Sequence, residues 1–320
     1  MQRRTFILSA AGLPLLAHGQ VPSGDPLPPL AILVGGAPGT PGDVVARAIS
    51  APLGAELGQS VVVENRPGAA GTVALAAVAR GRPDGQLLGV LGLQSAVAPS
   101  LIKAMPYHTA QAFTPVRQLS SVRNVLVVRA DNPWMRLDQL LKAASGETLS
   151  YASGGNGTPA HLLAELFRQE AGARLQHVPF NGAVAGVNAV LGGHVQMMFA
   201  TTPSVLPLVQ GGKLRALATS APQRLPGLPE VPTFAESGLP AVTVGDWHGL
   251  VAPTGTPPRR IEQLAAAIAK SLATDQVQQR LAAGGLEPAM QSDPEAFRAF
   301  IGAEMTRWAA IVEKAGISLQ

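Results

Sequence analysis

The 320-residue sequence contains no cysteine, so it holds no disulfide framework, no thiolate metal site, no thiol nucleophile and no lipoprotein anchor. Charged residues make up 14% and aromatic residues 4% against 47% hydrophobic, a balance that argues against disorder and predicts a substantial core. Two of the 24 basic residues are Arg3 and Arg4, and the 22 that remain face 20 acidic ones. With no Lys/Arg run interleaved with aromatics beyond that point, nucleic acid is disfavoured as a partner. After the first 19 residues no stretch of about 20 lacks Gly, Pro or charge, so no later segment reads as a membrane span. A phosphate loop, a GxGxxG dinucleotide loop and a GxSxG nucleophile elbow are all missing. The six histidines show no i, i+4 spacing, so neither a metal nor a cofactor is expected.

What is present begins with an export signal. Basic Arg3 and Arg4, an apolar run from Phe6 to Ala17 and small Ala17 and Gly19 predict a signal peptide over residues 1–19, cleaved near Gly19. Arg3-Arg4-Thr5-Phe6-Ile7 also resembles a twin-arginine signal, so either export route is open and a periplasmic location is expected.

The length predicts two domains. Residues 20–29 are too Pro-rich for regular structure, and the fold is expected to begin at Leu30. Short apolar runs read as strands at Leu30–Val34, Val61–Val63, Leu87–Leu91, Val125–Arg129, Ser150–Ala152, Val195–Phe199, Leu214–Thr219 and Trp247–Ala252. Helical stripes lie between them, such as Val45, Ala48, Ile49 and Leu53, and a last helix is expected to open on Ser292 and Glu295 as a capping box. This alternation predicts parallel α/β sheets with ligands at the carboxyl ends of strands.

One short pattern recurs. Gly39-Thr40-Pro41, Gly157-Thr158-Pro159 and Gly255-Thr256-Pro257 each stand between a strand and a helix, with Thr placed as N-cap and Pro as first helical residue. A helix start presents unpaired N–H groups and a partial positive charge, which suits a carboxylate without any cationic side chain. In Gly35 to Asp43 and Ser153 to Pro159 the glycine density exceeds what capping needs, and Ser153, Asn156 and Thr158 add donors. These two loops are the candidate ligand contacts, whereas the third reads as a cap alone. A catalytic reading has less to stand on: Ser153 with His161 is the one hydrolase pair in reach, and Asp43 suits a capping carboxylate better than a general base. Trp247 is placed equally well in a cleft or in a core.

At these motifs the chain resembles the substrate-binding receptors of tripartite tricarboxylate transporters, the Bug family, over essentially its whole length after the signal. Residues Val61 to Gly71 are similar to the family's VVVENRPGAGG signature, with Pro83-Asp84-Gly85 following, and Tyr151 to Thr158 with His161 to its YASSGNGT segment. Val178 to Gly182 resembles its VPYKG loop, and Gly192 to Phe199 its GGQVDMMF strand. The resemblance implies a type II periplasmic-binding fold, with lobe 1 from residues 20–124 and 246–320, lobe 2 from 125–245, and crossing strands near Arg123–Val125 and Val244–Asp246. It implies a non-enzymatic, monomeric receptor that passes a small mono- or dicarboxylate to the membrane subunits of a tripartite transporter, or that signals through a sensor kinase.

Carried over residue by residue, the implied contacts are Gly36, Pro38, Gly39, Thr40 and Asp43, then Gln94 and Ser95. On the other lobe they are Ser153, Asn156, Gly157, Thr158, Phe180, Asn181 and Gly182, with Ala200 and Thr201 after the GGQVDMMF-like strand. Two departures stand out. Gly35-Gly36 replaces a Pro-Phe pair, which is expected to widen the pocket there, and Thr40 replaces a glycine. Ala200 replaces an aspartate, which leaves a ligand ammonium without that counter-ion and favours simple acids over amino acids.

Overall fold

The computed structural model describes residues 28–317, so the expected signal peptide and most of the Pro-rich segment lie outside the described residues. The first half of the chain runs β1 (Leu30–Val34), α1 (Pro41–Leu57), β2 (Val61–Asn65), α2 (Thr72–Ala79), β3 (Leu87–Gly92), α3 (Leu93–Leu101), α4 (Thr109–Ala112) and β4 (Phe113–Val122). The middle runs β5 (Asn124–Arg129), α5 (Leu137–Gly146), β6 (Leu149–Ser153), α6 (Pro159–Ala171), β7 (Leu175–Pro179), α7 (Ala183–Leu191), β8 (Met197–Thr201), α8 (Thr202–Gln210) and β9 (Leu214–Thr219). The last part runs β10 (Asp246–Pro253), α9 (Pro258–Leu272), α10 (Asp275–Ala283), β11 (Glu287–Pro288) and α11 (Pro294–Ala315).

Two sheets form two lobes. One is ordered β11-β4-β10-β3-β1-β2 and the other β7-β6-β8-β5-β9. The chain leaves the first sheet after Val122 and enters the second at Asn124; it returns at Asp246, which pairs with Val122. Both sheets are mixed rather than parallel throughout. β10 runs antiparallel to β3 and β4, and β5 antiparallel to β8 and β9. In each sheet the strand that arrives from the other lobe is reversed, as is the short edge strand β11 beside β4, whereas the β-helix-β units within a lobe stay parallel.

Strand β4 has no counterpart among the apolar runs, because FTPVRQLSSV mixes a proline with polar residues. It is held by cross-strand pairing with β10 along eight residues of that strand. Short β7 was also hidden, its residues being only partly buried at the sheet edge.

Helix α11 closes the molecule by packing on α3 and β4 of one lobe and on α6 of the other. Its start is capped by Asp293, whose carboxylate accepts from Ala296 N at 2.7 Å. This corrects the expected Ser292 box: Ser292 Oγ instead accepts from Gln118 N at 3.1 Å, which ties the segment to β4. Trp247 is core, 1% exposed, and packs edge-on against Phe297 and Phe300 of α11.

Candidate functional site

Between the lobes lies a cavity of about 320 Å³. The starts of five helices of nine residues or more reach it: Thr40-Pro41-Gly42 at α1, Leu93-Gln94-Ser95 at α3, Thr158-Pro159-Ala160 at α6, Gly182-Ala183 at α7 and Thr201 at α8. None of the five N-cap residues caps its own helix with a side chain; Asp246 takes the Leu93 N–H of α3 and Arg123 O the Thr202 N–H of α8, and the remaining first-turn N–H groups suit an anion. Among the described residues neither Lys nor Arg lines the space, and Val34, Val90, Met198 and Phe199 make part of the wall apolar.

The recurring threonines explain why the starts are open. Thr40 Oγ1 donates to Ala37 O at 2.8 Å, Thr158 Oγ1 to Gly155 O at 2.7 Å and Thr256 Oγ1 to Pro253 O at 2.7 Å. Each hydroxyl therefore stabilises the turn before the helix and leaves the helical N–H groups uncapped. Thr40 and Thr158 occupy the N-cap position as expected, but at the third site Pro257 does so and the helix begins at Pro258.

Of the residues singled out from the sequence, Gly36, Thr40, Gln94, Ser95, Thr158, Gly182, Ala200 and Thr201 line this one cavity. The other eight do not. Pro38, Gly39, Asn156 and Asn181 are solvent-exposed and are not among the residues that line it. Phe180 packs into the second-lobe core, and Gly157 is buried with its N–H donated to His161 Nδ1 at 3.0 Å. Asp43, 3% exposed, turns back beneath the first loop and accepts from Gly39 N, Arg47 Nε and Asn65 Nδ2 at 2.8–2.9 Å. Burial pushes its carboxyl up, but those three donors outweigh burial and hold it below the ordinary value. Asn65 also donates to Gly36 O at 3.0 Å, so Asp43 and Asn65 together anchor the loop to β2.

Ser153 is fully buried, with its Oγ 2.6 Å from His177 Nε2. His177 in turn stacks on His161 with ring centroids 3.9 Å apart, and Tyr151 lies beside the pair, 4.9 Å from His177 and 6.4 Å from His161. Tyr151 donates to Glu165 Oε1 at 2.7 Å. Burial, followed by the neighbouring His161, pushes His177 down to about 4, against a weaker upward pull from Glu165. This column sits beneath the second loop and supports it. The Ser153–His161 hydrolase pair is corrected accordingly: the serine's partner is His177, and a substrate has no access to its hydroxyl.

The expected widening at Gly35-Gly36 is not what the packing shows. A Cβ on Gly35 meets Gly71 Cα at 2.5 Å, and one on Gly36 meets Thr40 Oγ1 at 2.5 Å. The neighbouring loop and the Thr40 side chain have taken the space. Gly71 itself lines the cavity next to Ala70, whose carbonyl accepts from Ser95 Oγ at 2.9 Å.

Three further lining residues, Asn124, Asp246 and His248, were not among the expected contacts, although the first two fall within the expected crossings near Arg123–Val125 and Val244–Asp246. They come from the two places where the chain passes between lobes, more than 120 residues apart, so only the topology brings them together. Asp246 accepts from Trp247 N at 2.8 Å, and its Oδ2 lies 3.8 Å from His248 Nε2. Burial raises its pKa, while His248 and the N–H groups of Trp247 and Leu93 act in the opposite direction. The cavity thus contains a carboxyl group despite Ala200.

Comparison with known proteins agrees with this architecture. The family model described as the tripartite tricarboxylate transporter family receptor matches residues 45–317. The protein BugT of Bordetella pertussis is 36% identical over 92% of this chain and 91% of its own length. Among solved structures, an R. palustris protein with adipate superposes with a TM-score of 0.79 at 30% identity, covering 91% of this chain and 98% of that one. MatC from Rhodopseudomonas palustris with bound malate gives 0.76 at 31% identity, covering 90% and 99%.

Proposed function

Because the chain belongs to the tripartite tricarboxylate transporter family of receptors, we propose that it captures a small organic acid in the periplasm and delivers it to the membrane subunits of such a transporter. The observation that carries this is the convergence of five helix starts on one cavity that no Lys or Arg lines among the described residues. Oriented N–H groups hold a carboxylate at fixed positions, and apolar walls accept its carbon chain. That relatives were solved with adipate and malate supports an acid of similar size here.

Helix starts from both lobes face the cavity, so a bound acid stabilises the closed arrangement over an open one, with Val122–Asn124 and Val244–Asp246 as the hinge. The receptor acts as a monomer without catalysis, exported by the Sec or the twin-arginine route. Its loaded form is the species that membrane subunits, or a sensor kinase, recognise. The test is to strip the purified protein by unfolding and refolding and to measure thermal shifts with a broad set of mono- and dicarboxylates. A shift with at least one acid is expected, and none with any acid refutes the reading. Mass spectrometry of ligand carried through purification identifies the acid directly.

A further inference from the structure

The ring of helix starts is electrically lopsided. In the second lobe α6, α7 and α8 have no acidic residue in their first turns. In the first lobe Asp43 occupies the first turn of α1, and Asp246 lies against the Leu93 N–H at the start of α3. The second-lobe wall is therefore the one suited to an anion, while the opposite wall already holds the Asp246 carboxyl, with Asp43 turned away behind it.

The back of the cavity adds unused polar groups. Asn124, 2% exposed, has its backbone fully engaged: its N donates to Ser220 Oγ at 3.0 Å and its O accepts from Ser220 N at 2.9 Å. Its side-chain Oδ1 is buried without a protein partner although the residue lines the cavity. His248 Nδ1 is buried and unpartnered in the same way. Asp246 Oδ2, at 3.8 Å from His248 Nε2, is beyond hydrogen-bonding reach of it. Packing places His248 at the cavity floor, where its ring approaches Gly42 and Gly92 so closely that a Cβ on either meets Cδ2 at 3.1 Å. Both residues line the cavity while these two atoms lie just behind its surface, so a rotation of either side chain is what brings the unpartnered atom to a ligand group.

We propose that Asn124, Asp246 and His248 form a second subsite that takes a hydrogen-bond-donating group of the ligand, a hydroxyl or an ammonium, while the ligand's carboxylate lies against α6, α7 and α8. The cognate acid then carries one carboxylate and one donor. A second carboxylate at this wall faces Asp246 with no Lys or Arg among the lining residues to offset the repulsion. This rests on the receptor reading above and narrows its ligand class.

Calorimetric titration of the full stripped chain with matched acids of four to eight carbons tests it. Each set contains the plain monoacid, its hydroxy and amino derivatives substituted at the 2-position or the far end, and the diacid. At least one hydroxy or amino acid is expected to bind tenfold or more tightly than both the plain acid and the diacid of equal length, and the arm that wins identifies the donor. Asp246→Asn is expected to cut that preference at least tenfold. Asn124→Ala, chosen in case the first variant misfolds, is expected to weaken the donor-bearing acid several-fold and leave the plain acid unchanged. A diacid that binds as tightly as the best donor-bearing acid overturns the subsite, as does a folded Asp246→Asn protein with unchanged preference. Binding by none of the acids overturns the receptor reading itself.

Discussion

Ser153 Oγ and His177 Nε2 are 2.6 Å apart in the interior of the second lobe, beneath a loop that reaches the ligand cavity only through Gly154 and Thr158. The pair is a support for that loop. Ser153→Ala leaves a buried ring nitrogen without its partner, at a cost of about 1–3 kcal/mol. The expected result is a melting temperature lower by several degrees and weaker acid binding, with ester and amide hydrolysis at background before and after the change.

Acid should weaken the same support. His177 is neutral in the folded protein down to about pH 4, whereas in the unfolded chain it takes a proton near its ordinary 6.5. Between those values the unfolded state binds more protons, so this group's contribution is present above pH 6.5 and is lost as pH falls toward 4. His161, also pushed down by burial, acts in the same direction. Melting temperature measured from pH 7 to pH 4.5 is expected to fall, and to fall less steeply in His177→Gln.

The anion wall is open to direct test at Thr158. Aspartate is a good N-cap residue, so Thr158→Asp is compatible with the helix start and a folded lobe while placing a like charge against the ligand carboxylate. Affinity is expected to drop at least 100-fold with little change in melting temperature. Thr40→Ala removes one hydroxyl bonded to Ala37 O and is expected to change affinity by less than tenfold, about 1 kcal/mol.

Where the first loop meets Gly71 there is no room for a methyl group. Gly35→Ala sets a Cβ 2.5 Å from the Gly71 Cα, a backbone atom that cannot rotate away. Overpacking of this kind costs about 1–3 kcal/mol. Both stability in denaturant and ligand affinity are expected to fall, and Gly39→Ala serves as the comparison, since its Cβ meets nothing within 4 Å and only its left-handed φ of 83° opposes the change.

Helix α11 offers a test away from the cavity. Glu304 Oε2 accepts from Trp247 Nε1 at 3.0 Å and from Trp308 Nε1 at 3.1 Å, and both indoles are buried. Glu304→Leu leaves both N–H groups unpaired, with an expected loss of about 2–4 kcal/mol in unfolding free energy and altered tryptophan fluorescence.

Much of this was legible in the order of residues. Apolar runs such as Leu30–Val34 and Leu214–Thr219 are strands over the same bounds, and Thr-Pro after glycine marks the starts of α1 and α6. These signals are local: backbone preference, period and turn chemistry act between neighbours in the chain. Their limits are local too. Asp293 rather than Ser292 caps α11, because the geometry of the turn decides which of two adjacent oxygens reaches the Ala296 N–H. Strand β4, with Pro115 and alternating polar residues, exists because β10 lies beside it.

By itself the sequence determined the two-lobed α/β architecture, the glycine-rich helix starts and the receptor family. Tertiary structure alone decided which candidates line the cavity, burying Ser153 and Asp43 as supports and leaving Pro38 and Asn156 exposed away from the lining. It also brought Asn124 and Asp246 together at the back of the cavity. The physical reason is the double crossing: a chain that leaves one sheet at Val122 and returns to it at Asp246 makes neighbours of residues 124 positions apart, and no pattern along the chain encodes that proximity.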